Sequence, residues 1–362
     1  MNKINKLQKN DKVAIVSLSS GILGESFIKF ELDIGIKRLK EFGLIPVFMP
    51  NALKGLDFIK NNPEARAQDL KEAFLNPEIK AVICAIGGVD TYRTYPYLMT
   101  EEFKIIVQNN PKIFMGFSDT TANHLMFQKL GLNTFYGPAF LPDFAELAND
   151  MLPYTKDAIS YLFEAPETYE IKSSPVWYKE RESYSPAEVG KNRVQINETK
   201  GFECLQGTTV AEGKLLGGCL DVLASLIGVD NTEEERCPRY DQTITSKFNT
   251  FPTIDEWKDK IMFFETSDAK MPPEQFESII KSFKQIGIFN AVNGVLVGKP
   301  IDETYYDEYK QILIKELKDY NIPVLYNLNF GHAVPRTIIP YGALAKIDPI
   351  NKTVCILNST LK

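Results

Sequence analysis

The chain has 362 residues, 44% of them hydrophobic and 24% charged, with a formal net charge of −6. These are the proportions of a soluble globular protein, long enough for two domains of roughly 150 residues each. The acidic balance argues against a nucleic-acid polymer as partner, because phosphate binding needs a basic patch; no apolar run approaches the ~20 residues needed to span a bilayer.

The N-terminus, MNKINKLQKNDK, is followed by no signal-type apolar core, so a cytoplasmic location without membrane attachment is expected. The first ~165 residues alternate strand-like and helix-like segments. KVAIVSLSS reads as a strand, and Phe27 to Phe42 as a helix. LIPVFMP is a short strand, and PEARAQDLKEAFLN a helix with proline in its first turn. IKAVICAIGG and PKIFMGFS are apolar strands, the second running into the helix DTTANHLMFQKLG, with the short strand LNTFYGPA after it. Strands that are apolar throughout and separated by helices imply a parallel sheet covered on both faces. Ligands bind such sheets outside the carboxyl ends of the strands. Ser19, Gly87, Gly88 and Ser118 fall at those ends.

From Pro166 to Gly207 the chain is polar and poorly periodic, and it contains Trp177, Tyr178 and Tyr184. It reads either as a solvated crossing between domains or as a loop that folds over a substrate. A second unit, 208–362, follows a first of 1–165. In it TVAEGKLLGGCLDVLASLIG is a strand, a glycine turn and a helix, and NTEEERCPRYDQTITSKF is a surface loop. KIMFFETSD, AVNGVLVGKP and IPVLYNLNF are strands; PPEQFESIIKSFKQIGIF and YDEYKQILIKELKDY are helices. TIIPYGALAKIDPINKTVCILN ends the chain as a hairpin of edge strands. The fold class expected is α/β, with a parallel N-terminal sheet and a C-terminal α/β domain of mixed strands.

The five cysteines, Cys84, Cys204, Cys219, Cys237 and Cys355, are odd in number and have no C-x-x-C spacing. Neither a disulfide framework nor a structural zinc site is expected. With only two histidines in addition, no metal and no cofactor is assigned.

Three residues carry the chemical signal. Ser118 is delivered by an apolar strand into a helix start, where its hydroxyl can be presented to a base and the Asp119 N–H can face an oxyanion. GFSDT lacks the second glycine of G-x-S-x-G, and Ser118 or Asp119 also reads as a plain helix cap. Gly87 and Gly88 allow close backbone approach and a second oxyanion donor, or simply a tight turn. His332 sits in a glycine turn after a strand; His124 lies well down the helix that Ser118 begins. Glu265 ends an apolar strand and suits the third position of a Ser–Glu–His set, with Asp268 as the alternative. Arg93 is a candidate for neutralising the free carboxylate of a C-terminal residue.

In order along the chain, DKVAIVSLSS, AIGGVDTYRTYPYL, FMGFSDTTANH, GKLLGGCLDVLASLIG, KIMFFETSD and FGHAVPR resemble the serine LD-carboxypeptidase family, including its microcin C self-immunity branch. The resemblance spans nearly the whole chain. It implies Ser118 as nucleophile, Glu265 and His332 as its partners, the amides of Gly88 and Asp119 as oxyanion hole, a site between two domains, and a homodimer. Its substrates would be a small peptide or peptidyl-nucleotide. SSPVW resembles the microcin branch, which implies that Trp177 stacks on a nucleobase. The classical branch, releasing terminal D-alanine from a muropeptide, is the alternative. An esterase and a non-catalytic ligand-binding protein remain as other classes.

Overall fold

The computed structural model describes residues 4–229 and 240–362. Sixteen strands follow in chain order: β1 Lys12–Val16, β2 Ile45–Phe48, β3 Ile79–Cys84, β4 Ile113–Gly116, β5 Phe135–Tyr136, β6 Tyr169–Ile171, β7 Val176–Tyr178, β8 Gln195–Asn197, β9 Glu203–Gln206, β10 Ala211–Cys219, β11 Lys260–Glu265, β12 Gly294–Gly298, β13 Val324–Leu328, β14 Ile339–Pro340, β15 Leu344–Asp348 and β16 Thr353–Ile356.

The first sheet has the order β2-β1-β3-β4-β5-β14. Its first five strands are parallel, and β14 closes the edge antiparallel to β5. All four residues of β4, and four of the five in β1, are buried, which is why these strands are apolar without alternation. Helices Lys29–Glu41, Pro63–Leu75 and Thr121–Leu130 flank the sheet. Pro63 occupies the first helical position, and Gly131 ends its helix in the left-handed conformation, φ +87°.

The second sheet runs β6-β16-β15-β10-β11-β12-β13-β9. Its centre, β10 to β13, is parallel, and both flanks are antiparallel. The fold is therefore α/β, with a first sheet parallel except for β14, a second of mixed strands, and a small antiparallel pair. Buried side chains of both sheets belong to a single contiguous core.

Several segments differ from the sequence reading. The polar stretch after Pro166 is not an unstructured crossing: β6 and β9 cap opposite edges of the second sheet, and β7 pairs with β8. These strands are three or four residues long, too short to show a period. At the C-terminus β15 and β16 do form a hairpin, but β6 covers its outer side, so neither is an edge strand. Ile339–Pro340 instead crosses to the first sheet, where an edge tolerates proline.

Of the acidic stretch predicted as surface loop, residues 231–239, with Cys237, lie outside the described residues. Within the described part, Gln242–Phe248 is a helix rather than loop, and its N-cap Asp241 accepts from the Thr243 N–H.

Candidate active site

β4 exits through Phe117 into Ser118, which starts a 3-10 turn leading to helix Thr121–Leu130. Ser118 has φ +64°, a left-handed conformation uncommon for a residue with a side chain. Such strain costs about 1–3 kcal/mol and lifts the side chain clear of its own strand. At the start of a helix the Asp119 N–H has no intrahelical acceptor.

Gly87 follows β3 and faces this turn. A Cβ there would lie 2.9 Å from Ser118 Oγ and 3.4 Å from Asp119 N. Only glycine leaves the space beside the hydroxyl open. Gly88 has φ +151°, and a Cβ on it would overlap Ser19 Oγ. The loop is clamped at its far end: Arg66, fully buried, donates to Asp90 at 2.7 Å and to Leu18 O at 2.9 Å. Arg93 also donates to Asp90, at 3.1 Å, and to Lys60 O at 2.6 Å.

His332 Nε2 stands 3.0 Å from Ser118 Oγ, and its Nδ1 stands 2.9 Å and 3.2 Å from the two Glu265 oxygens. The His332 backbone N–H also donates to Glu265 Oε2 at 3.1 Å. Glu265 is fully buried, so Nδ1 carries the proton toward it and Nε2 is left to accept from the Ser118 hydroxyl. Burial alone would lower the His332 pKa; the Glu265 charge and hydrogen bond outweigh it, and the net shift is upward. Gly331, φ +87°, precedes the histidine, and a Cβ on it would overlap the Glu265 carboxylate. Asp268, the alternative acid, is half-exposed and lies 3.9 Å from Nε2, on the side away from Nδ1.

His124 plays a different part. It is fully buried, with Nδ1 2.8 Å from Thr134 Oγ1 and Nε2 2.9 Å from Gly116 O. Burial pushes its pKa down to about 3, so it stays neutral and braces the turn from beneath.

Further side-chain contacts support the site, those of Tyr136 and Arg336 without having stood out in the sequence. Tyr136, at the end of β5, donates to Glu265 Oε1 at 2.5 Å and accepts the Ser118 N–H at 3.2 Å. Arg336 donates to His332 O at 3.1 Å and to Asp143 at 2.9 Å, its guanidinium 4.1 Å over the Phe117 ring. Asp119 is buried and accepts from Ser19 Oγ, the Thr91 N–H and the Tyr240 hydroxyl. A basic residue four after the histidine was the only sequence signal for Arg336. Tyr136 gave none, being one tyrosine of 16.

A cleft of about 450 Å³ opens over Ser118 and His332, bounded by Gly87, Gly88, Tyr184, Arg193, Asp268 and Arg336 among others. Arg93 and Trp177, both singled out as substrate contacts, do not line it. Arg93 is committed to Asp90 and the Lys60 carbonyl. Trp177 is packed in β7, 8% exposed, with the Lys299 ammonium 5.0 Å over its ring. From the same polar stretch it is Tyr184 and Arg193 that reach the cleft.

Among the described residues, Cys219 Sγ, a Glu265 oxygen and a His332 nitrogen lie within 4.8 Å of one another. That donor set suits a soft divalent cation. Burial holds the Cys219 thiol protonated, however, and Glu265 and His332 direct their facing atoms at each other.

Comparison with known proteins decides the family. Residues 13–137 match the LD-carboxypeptidase N-terminal domain and residues 212–347 the LD-carboxypeptidase C-terminal domain. The chain belongs to the LD-carboxypeptidase family. It is thus a peptidase. Relatives include a protein of Bacillus subtilis described as "Probable murein peptide carboxypeptidase", 28% identical over 98% of this chain and 94% of its own length. The microcin C7 self-immunity protein of Escherichia coli is 26% identical over 84% of this chain and 82% of its own. Among solved structures, an MccF-like protein from Streptococcus pneumoniae in complex with AMP superposes with a TM-score of 0.88 at 45% identity, covering 95% of this chain and 98% of that one.

Proposed function

We propose that this LD-carboxypeptidase family member hydrolyses the amide joining a peptidyl or aminoacyl group to a nucleotide, through Ser118, His332 and Glu265. The observation that carries it is the unbroken hydrogen-bonded line from Ser118 Oγ through His332 to buried Glu265, at 3.0 Å and 2.9 Å. His332 Nε2 takes the hydroxyl proton as Oγ attacks the carbonyl carbon. The Gly88 and Asp119 N–H groups hold the oxyanion. His332 then gives the proton to the leaving nitrogen, and water releases the acyl group from Ser118.

The nucleotide part of the reading is supported by the 45%-identical streptococcal structure with AMP and by the aromatic Tyr184 at the cleft. A muropeptide is the second reading, favoured by the Bacillus relative that matches nearly end to end. A cytoplasmic homodimer goes with either. The free thiols Cys84, Cys204, Cys219 and Cys355 support the reducing compartment, and sedimentation equilibrium tests the dimer.

The deciding experiment is mass spectrometry of wild type and Ser118→Ala with an aminoacyl sulfamoyl adenosine and, separately, a muropeptide tetrapeptide. Release of the amino acid from the nucleoside by wild type alone supports the proposal. Release of D-alanine alone supports the second reading. Ser118→Ala should lose several orders of magnitude in turnover. Retention of more than about a tenth of wild-type activity would sink the assignment of Ser118.

A further inference from the structure

The line from Ser118 to Glu265 does not end at the carboxylate. Glu265 Oε1 accepts from the Tyr136 hydroxyl at 2.5 Å, and that same oxygen of Tyr136 accepts the Ser118 N–H at 3.2 Å. The contacts close into a ring: Ser118 side chain, His332, Glu265, Tyr136, Ser118 backbone. Two sheets contribute to it. Ser118 and Tyr136 come from the first, Glu265 and His332 from the second. Tyr136 is fully buried, and burial, then the Glu265 charge, pushes its phenol well above the ordinary value. It is a permanent donor.

We propose that Tyr136 is a positioning residue of the peptidase: its hydroxyl fixes the Glu265 carboxylate opposite His332 and holds the strained Ser118 turn in register with both. The inference rests on the serine-peptidase reading above. It adds a residue that touches no substrate and acts through Glu265 and the Ser118 amide.

Other titratable or charged groups face the His332–Glu265 pair. The Tyr341 hydroxyl donates to Gly217 O. Cys219 contacts Asp221, whose carboxylate accepts from Ser267. Arg336 is held by Asp143 and the His332 carbonyl, and Asp268 lies half-exposed on the Nε2 side. Tyr136 is the side chain among these that donates to a Glu265 oxygen. Removing that donation leaves more of the carboxylate's charge facing His332, favours the protonated imidazole, and raises the histidine's pKa.

Tyr136→Phe deletes the hydroxyl and keeps the ring contacts with Phe263 and His124, at 5.6 Å and 5.7 Å between centroids. The chain has only two histidines, and His124 is held near pKa 3, so NMR follows His332 without overlap near neutrality. The variant should titrate His332 on the order of half a pH unit higher than wild type. The acidic limb of kcat/KM should move with it, and kcat should fall about ten- to a hundredfold with KM little changed, as for loss of a hydrogen bond to a charged group. Biosynthetic replacement of tyrosine by a fluorotyrosine, a stronger donor, should shift the His332 titration the opposite way with no substitution in the sequence.

A second arm combines Tyr136→Phe with Glu265→Gln. If Tyr136 acts in part through Glu265, the double variant loses less than the product of the two single losses. A multiplicative loss in the double variant would overturn the proposal. So would an unmoved His332 titration in both the Phe and the fluorotyrosine proteins, even if Tyr136→Phe lowers activity or melting temperature, because simple packing has that signature. The NMR shift needs no turnover. Failure of the peptidase reading would show instead as wild-type protein that a fluorophosphonate does not label at Ser118.

Discussion

In the proposed mechanism the pKa of His332 sets when the site can work. As a base it must be neutral, and Glu265 holds the imidazolium above the ordinary histidine value of about 6.5. Activity should therefore rise with pH through an acidic limb in kcat/KM that lies above about 6.5. Initial rates at subsaturating substrate across pH check this; a limb at or below that value would contradict the pairing. Glu265→Gln removes the charge and the tautomer lock together. The limb should fall, and turnover should drop roughly 10³–10⁴-fold if the acid works as in other acid–His–Ser sets. The three residues of this line stood out in the sequence because each ends an apolar run and histidine is scarce. Trp177 stood out for a related reason, and the structure packs it away from the cleft. An indole in a polar stretch looks like a ligand platform until the fold supplies Lys299 and the β7–β8 pair to bury it. Tyr136 was invisible because its role exists only once β5 and β11, over 120 residues apart in sequence, are brought edge to site.

At the level of elements, glycines decide how closely the strand ends approach. Gly87→Ala would put a methyl 2.7 Å from Ser118 Cβ and 2.9 Å from Oγ, in the space an oxyanion needs. Gly218, φ +140°, touches Thr121 on the helix after Ser118, and the next residue's N–H donates to Thr121 Oγ1 at 2.9 Å. Gly218→Ala should cost about 1–3 kcal/mol or more by overpacking this contact between the halves. Urea unfolding and kcat measured on both variants separate the effects. Gly87→Ala is expected to lose mainly kcat, and Gly218→Ala mainly stability. The segment 166–207 is tied down differently: Arg181 and Arg193 both donate to buried Glu146, at 2.5 Å and 2.6 Å. Glu146→Ala leaves two guanidiniums unpaired, a loss of about 3–5 kcal/mol where such pairs are buried. Because Tyr184 and Arg193 border the cleft, KM should rise as well; an unchanged KM would separate this segment from substrate binding. The central strands β11 and β12 were legible as apolar runs. The edge strands β6 and β9 were not, since a short, half-exposed strand has no period to read and its partner is set by the sheet it joins.

Over the whole molecule, the two sheets are bound more tightly than their separation in sequence suggests. β14 leaves the second half of the chain to complete the first sheet. The Tyr136–Glu265 and Thr121–Cys219 hydrogen bonds and the Lys129–Glu256 ion pair cross between the halves at separate points. One contiguous core contains residues from Ile4 to Leu361. Two units that shared only a cleft would melt apart, each with its own heat-absorption peak. Here neither half can unfold without stripping apolar cover and buried hydrogen-bond partners from the other. Calorimetry should accordingly give one endotherm whose van't Hoff and calorimetric enthalpies agree, with activity lost across that same transition. A small molecule covalently held at Ser118 should raise the midpoint, because the contacts it makes with His332 from the second half exist only while both halves are folded. Two resolved endotherms, or an adduct that stabilises only the first of them, would mean that the halves are independent and that the site is assembled by docking rather than by a common core.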